Sequence, residues 1–175
     1  MTYNVSGTHL MEQSMRPNPA YLGLGLILTG IGVWAATNAS PSSEQLDTAA
    51  VAAGCARQFE RAQRVDMESF RDYDAATFRA GHHPETTTVF ASGAARYGVD
   101  AVMEALRSHF ENREAVWAWT ERYRVVDGCK TAFILYETTY DIPSNGFHQR
   151  ALTGVSYTYN RGKWLAVADQ GTLLP

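Results

Sequence analysis

VWAWTERYRVVDGCKTAFILYETTYDIPSNGFHQRALTGVSYTYNRGKWLAVADQ, residues 116–170, is the stretch that decides how this chain folds. Large and small side chains alternate from 116 to 126. Trp117, Trp119, Glu121 and Tyr123 fall on one face, with Val116, Ala118, Thr120 and Arg122 on the other. Asp127-Gly128 makes a turn, and 129–141 is rich in Thr, Tyr, Phe and Ile. Pro143-Ser144-Asn145-Gly146 breaks the chain before 147–159, and Asn160-Arg161-Gly162 leads into 164–170. Period-two alternation, β-branched and aromatic enrichment and Asx-Gly breaks predict a four-stranded antiparallel meander. Strands this long belong to a strongly bent sheet, whose concave side must be filled. The filling has to come from the preceding residues.

Those residues read as helices. Cys55, Phe59, Ala62, Val65 or Asp66, and Phe70 repeat at helical spacing over 48–73, with Arg57, Arg61, Arg64 and Glu68 opposite as a solvated face. Residues 74–80 form a short second helix, closed by Gly81 and stopped by Pro84. Residues 86–91 read as a short strand, and 92–97 return through small residues. Gly98-Val99-Asp100 opens a third helix, with Val99, Val102, Met103, Leu106 and Phe110 as its buried stripe, ending at Asn112-Arg113. Three helices followed by a run of strands imply an α+β domain with the helices on one face of the sheet.

The chain has 175 residues, with 15 Lys and Arg against 18 Asp and Glu, a net charge of −3 and a pI near 5.9. That suits one domain with an N-terminal extension. The basic residues are scattered, so no nucleic-acid partner is expected. Residues 20–36 form an unbroken apolar run between Arg16 and Thr37-Asn38-Ala39, the layout of a secretory signal peptide. Residues 1–14 fit that layout poorly, and a start at Met15 gives a more ordinary signal. The preferred reading is cleavage near Ser40 and a periplasmic or secreted protein. The other reading is an uncleaved anchor, since the run sits at the lower limit for spanning a bilayer. Residues 40–47 read as a flexible linker, so the expected layout is 1–39 signal or anchor, 40–47 linker, and 48–175 domain.

Several motifs resemble the nuclear-transport-factor-2-like superfamily, more closely its polyketide-cyclase-like and ketosteroid-isomerase-like branch. They are residues 66–70, Thr88-Val89-Phe90-Ala91-Ser92-Gly93, Tyr97-Gly98-Val99-Asp100-Ala101-Val102, Arg150-x-x-Thr153-x-Val155 and Gly162-Lys163-Trp164. The likeness covers about 48–172. It implies a cystatin-like cone, a curved antiparallel sheet wrapped around three N-terminal helices, with a pocket at the open end. It does not imply one activity, because the superfamily holds isomerases, dehydratases, epoxide hydrolases, cyclases and non-catalytic binders. The position that holds the proton-abstracting aspartate in steroid isomerases is here Ala91, and the place of a frequent late histidine is Gln170.

The candidate site residues come from the strand faces. Tyr136, Thr138 and Tyr140 alternate on one strand, His148 and Arg150 share a face of the next, and Asp169 lies on the last. Facing inward, they would make an aromatic cleft with Asp169 and His148 as acid–base groups, and Tyr136, Tyr140, Arg150 and Gln170 as ligand contacts. An aspartate in such a cleft is held protonated more readily than usual. The plainer and weightier reading makes the tyrosines core and Arg150–Asp169 a structural ion pair. Trp117 and Trp119 are cleft walls, core or a dimer face, and a homodimer through the sheet is expected. His82-His83-Pro84-Glu85 reads as an exposed loop with His83 at the cleft mouth, because adjacent histidines point apart and no further ligands complete a metal set. No metal or cofactor is expected. Cys55 and Cys129 are either a disulfide formed after export or, preferred here, a buried small residue and a turn residue. Two functions follow. The favoured one is an exported domain binding a small, largely apolar or aromatic molecule, with acid–base isomerase, dehydratase or hydration chemistry as one version; the alternative is a non-catalytic binding or dimerisation module.

Overall fold

A computed structural model of the protein describes residues 42–175. The expected signal or anchor at 20–36, and the start at Met15, lie outside the described residues.

Helix α1 spans Ser43–Arg71 and so begins inside the segment read as a linker. The reason is local. The Ser42 side chain accepts from the Gln45 N–H while the Gln45 side chain accepts from the Ser42 N–H, a reciprocal cap that starts the helix a turn early. Its buried stripe includes Cys55, Phe59, Gln63, Asp66 and Met67. Tyr73 then turns the chain at φ 60°, and the Asp74 side chain caps α2 (Ala75–Ala80) by accepting from the Thr77 N–H at 3.0 Å. The expected third helix is two, α3 (Val99–Ala105) and α4 (Arg107–Asn112), separated at Leu106. The second piece buries His109 and Phe110 against Phe70.

The strands are β1 (His82–Val89), β2 (Ala95–Tyr97), β3 (Val116–Asp127), β4 (Thr131–Ile142), β5 (Phe147–Asn160) and β6 (Lys163–Leu173), in one sheet of order β2-β1-β6-β5-β4-β3. The meander β3 to β6 is antiparallel throughout, as its turns require. The sheet as a whole is not, because β1 runs parallel to β6. β1 also starts earlier than expected, taking in both histidines. Its pairing with β6 is irregular between His82 and Thr87, the interval that contains Pro84, which has no N–H to give.

Two bulges decide which residues face inward. Arg122 is an extra residue between the pairs Glu121–Tyr136 and Tyr123–Leu135, and Val167 is extra between Tyr157–Ala166 and Ser156–Ala168. Each inverts the alternation. Beyond Arg122, Tyr123 is therefore exposed instead of joining Trp117 and Trp119. Arg124 turns in, its guanidinium 5.9 Å from the Phe59 ring centre. Beyond Val167, inward positions pass from Trp164 and Ala166 to Asp169 and Gly171.

The core fills one half of the concave face. Phe59 from α1 is fully buried and meets Tyr157 and Trp164 edge-on at 5.1 and 5.2 Å, with Ile134, Tyr136 and Ala166 around them. Cys55 and Cys129 form a disulfide, which ties α1 to the β3–β4 turn and corrects the preferred reading of them as separate residues. Among the described residues, no helix is long and apolar enough to cross a membrane.

Candidate active site

The other half of the concave face is open. A cavity of about 270 Å³ lies between the sheet and α1, α2 and the Leu106 turn. Its walls are apolar: Met67 and Phe70 from α1, Phe78 from α2, Trp117 from β3, Tyr140 from β4, and Phe147 and Val155 from β5. At one end Asp66, His82, Thr88 and Asp169 come together from α1, β1 and β6.

Asp169 reaches the cavity because the Val167 bulge re-aims the end of β6. Its Oδ2 accepts a 2.8 Å hydrogen bond from Thr88 Oγ1, whose residue pairs with it across the parallel β1–β6 contact. Burial raises its carboxyl to about 6, against the opposing pull of that hydrogen bond and of His82, while Asp66 pushes it further up. Asp66 lies behind it on the buried stripe of α1. Tyr157 Oη donates to its Oδ2 at 2.6 Å, while its Oδ1 is buried with no hydrogen-bond partner. Burial raises Asp66 as well, partly offset by His82 and by the Tyr157 hydroxyl. Tyr157 is itself pushed well up, by burial first and then by Asp66.

His82 stands beside Asp66, its Nδ1 3.8 Å from Asp66 Oδ1 and 2.8 Å from the Phe78 carbonyl oxygen. A carbonyl only accepts, so Nδ1 carries a hydrogen and donates it there. His109, further along the wall, has a fixed tautomer. Its Nε2 donates to the Phe70 carbonyl at 2.8 Å, so its Nδ1 accepts from Tyr140 Oη at 3.0 Å. Burial holds this imidazole below its usual range. Its ring stacks on Phe70 at 3.8 Å, so it serves to orient Tyr140. Gly171 permits a close crossing at the mouth: a Cβ there would stand 3.0 Å from the Ala91 backbone nitrogen.

Two carboxyls raised by burial at the end of an apolar cavity are suited to general acid–base chemistry near neutral pH. Among the described residues, no group of three His, Cys, Asp or Glu side chains is arranged to hold a metal ion.

The structure places the sequence-derived candidates as follows. Asp169, Tyr140 and Trp117 line the cavity. Tyr136 lies one step deeper, buried in the packed core with its hydroxyl on Gln63 Oε1. Trp119 packs at the core margin with the Arg71 guanidinium 5.6 Å from its ring centre. His148 and Arg150 are on the outer face, because Phe147, Gln149, Ala151 and Thr153 take the inward positions of β5. The expected Arg150–Asp169 pair is accordingly absent. Arg150 pairs with Glu137 at 2.9 Å, which also holds Arg122, and His148 pairs with Asp141. His83 turns from the cavity and its Nδ1 accepts from the Glu85 N–H at 3.2 Å. Gln170, adjacent to inward Asp169, is exposed.

The sequence reading missed Asp66, His82 and Thr88. Asp66 had a usable signal, since it falls at the spacing of Cys55, Phe59 and Phe70, and a carboxylate on an apolar stripe is a buried one. His82 had none, because its inward aim depends on the pairing of β1 with β6.

No protein-family model matches the sequence, and no curated protein does. Solved structures do match in three dimensions. One is an NTF2-like protein with a cystatin-like fold from Novosphingobium aromaticivorans, at 12% identity, covering 78% of this chain and 92% of that one, with a TM-score of 0.65. An NTF-2 like protein of unknown function from Shewanella oneidensis matches at 11% identity over 67% and 98% of the two chains, with a TM-score of 0.57. A ketosteroid isomerase-like protein from Erwinia carotovora atroseptica matches at 17% identity over 68% and 95%, with a TM-score of 0.56. By its curved six-stranded sheet and the helices laid in it, the chain has the NTF2-like, cystatin-like fold.

Proposed function

We propose that the protein is an exported domain that takes a small, largely apolar molecule into the cavity and exchanges a proton with it through Asp169, as an isomerase, dehydratase or hydratase does. The observation that carries this reading is Asp169 itself: a carboxyl raised to about 6, facing an open apolar cavity and held there by one hydrogen bond from Thr88. A structural carboxylate in an interior is normally paired with an arginine or lysine that lowers its pKa, and this one has only the pull of His82, which burial outweighs. Asp66 and His82 stand beside it at the same end of the cavity. The steroid-isomerase arrangement is not reproduced, since Ala91 occupies that position at the cavity wall.

Export is supported by the apolar run at 20–36 and by the Cys55–Cys129 disulfide, which persists in oxidising compartments. A second copy is proposed to pair through the outer face of the sheet, where Tyr123 and Val125 are 56% and 47% exposed.

The test is hydrogen exchange in D2O with a panel of small carbonyl compounds, with and without an amino group. Deuterium incorporation that follows a group titrating near 6, and is lost in Asp169→Asn, is the expected result. Exchange at the background rate with compounds that bind, or exchange unaffected by the substitution, would refute the catalytic reading.

A further inference from the structure

We propose that the molecule the cavity takes is a lipophilic cation, a protonated amine on an apolar body. This deepens the reading above and rests on it. The argument comes from an inventory of the hydrogens the cavity can offer. Thr88 gives its hydroxyl hydrogen to Asp169, Tyr157 gives its own to Asp66, and Tyr140 gives its own to His109. Thr138 donates to the Ala151 carbonyl at 3.3 Å, which leaves Thr153 as the donor in the 3.0 Å contact between the two threonines. Every hydroxyl hydrogen on the wall is therefore used within the protein, and what remains for a ligand is lone pairs. The exceptions are the Gln149 amide and the indole N–H of Trp117, which is buried without a partner.

The charges point the same way. Among the described residues no lysine or arginine lines the cavity, while two aspartates do. The groups facing Asp169 are Thr88 and His82 from β1, Asp66 from α1 and Tyr157 from β5. With its carboxyl at about 6, Asp169 is ionised at pH 7.5, and among the described residues no lysine or arginine stands against it. Asp66 Oδ1, in a residue 6% exposed, has no hydrogen-bond donor and is closed in by the packing, while Asp169 accepts from Thr88 at Oδ2 only, which leaves its Oδ1 for a ligand. An ammonium supplies the hydrogens and the charge that this end lacks. The aromatic faces of Phe70, Phe78, Trp117 and Phe147 favour a cation over a neutral group of the same shape. A ligand carboxylate would meet the like charge of Asp169 in an apolar space.

The test uses three isosteres, 2-(1-naphthyl)ethylamine, 2-(1-naphthyl)ethanol and 1-naphthylacetate, titrated calorimetrically into the whole chain at pH 7.5 and pH 5. The amine should bind at least tenfold more tightly than the alcohol at pH 7.5, and the acetate most weakly. The amine's advantage should shrink at pH 5, where Asp169 takes up its proton, and should be largely lost in Asp169→Asn. It should persist in Arg150→Gln, a change of charge on the outer face. An alcohol or acetate that binds as tightly as the amine overturns the cation inference while leaving the cavity reading intact. If none of the three binds, the cavity reading fails and the inference with it.

Discussion

The two halves of the concave face are built on the same strands and solve opposite problems. Along β4, Ala132, Ile134 and Tyr136 are packed under α1, while Thr138 and Tyr140 line the cavity. Along β5 Tyr157 is packed, Ala151 and Thr153 line the cavity, and Val155 stands at the boundary, part of both. Polar groups in the packed half are satisfied: Tyr136 donates to Gln63, and Trp164 Nε1 donates to the Cys55 carbonyl at 3.1 Å. At the cavity, Asp66 Oδ1 and Trp117 Nε1 are left without partners, and the other such atom among the described residues, Thr86 Oγ1 on β1, belongs to neither the packed cluster nor the cavity lining. Unpartnered polar atoms cost stability, so their concentration in one half marks it as the half kept for something other than holding the fold together.

The sharpest way to break this comparison is to remove an aromatic from each half. Phe59→Ala deletes a fully buried ring that meets Tyr157 and Trp164, and should cost about 3–5 kcal/mol in denaturant unfolding. Phe147→Ala at the cavity, where the ring is 46% exposed, should cost less than about 1 kcal/mol. Equal costs would mean that the halves are not distinct. Next in size is the disulfide, which closes a loop with a sequence separation of 74. Replacing both cysteines by serine should cost about 2–5 kcal/mol, read from the shift in urea midpoint.

Asp169→Asn should act in the opposite direction. An aspartate has a pKa of about 4 in the unfolded chain, and Asp169 is raised to about 6 in the folded one. The folded state thus holds the proton more tightly. Its contribution to stability is full below about pH 4 and lost as pH rises through 6. The asparagine variant should therefore be more stable than the parent at pH 7.5, by about 1–2 kcal/mol after allowance for water in the cavity, and no more stable at pH 4. Melting curves at the two pH values check this. The smallest effect belongs to the outer face: Arg150→Ala removes an exposed pair with Glu137 and should change stability by less than about 1 kcal/mol, with no effect on ligand binding.

The four-strand meander and the shared face of Tyr136, Thr138 and Tyr140 are legible in residues 116–170, and the helices before them in 48–113, because alternation, helical spacing and turn residues are local properties. What was not legible followed from pairing. The bulges at Arg122 and Val167 each insert one residue, and nothing in the sequence marks them. Yet they reverse the sides of Tyr123 and Arg124 and set the aim of Asp169. Alternation puts His148 and Arg150 on one face without saying which way it points, and their neighbours Phe147, Gln149 and Ala151 hold the inward places. The parallel β1–β6 pairing, which brings His82 and Thr88 to the aspartates, joins segments some eighty residues apart and has no local signature.

The most direct test of the account is the titration of the Asp169 side-chain carboxyl carbon, followed by NMR in the folded protein and assigned by its absence in Asp169→Asn. A midpoint near 6 is expected, falling when an amine ligand is bound. A midpoint near 4 in the free protein would place Asp169 in ordinary solvent or beside a cation, and would contradict both the site and the function drawn from it.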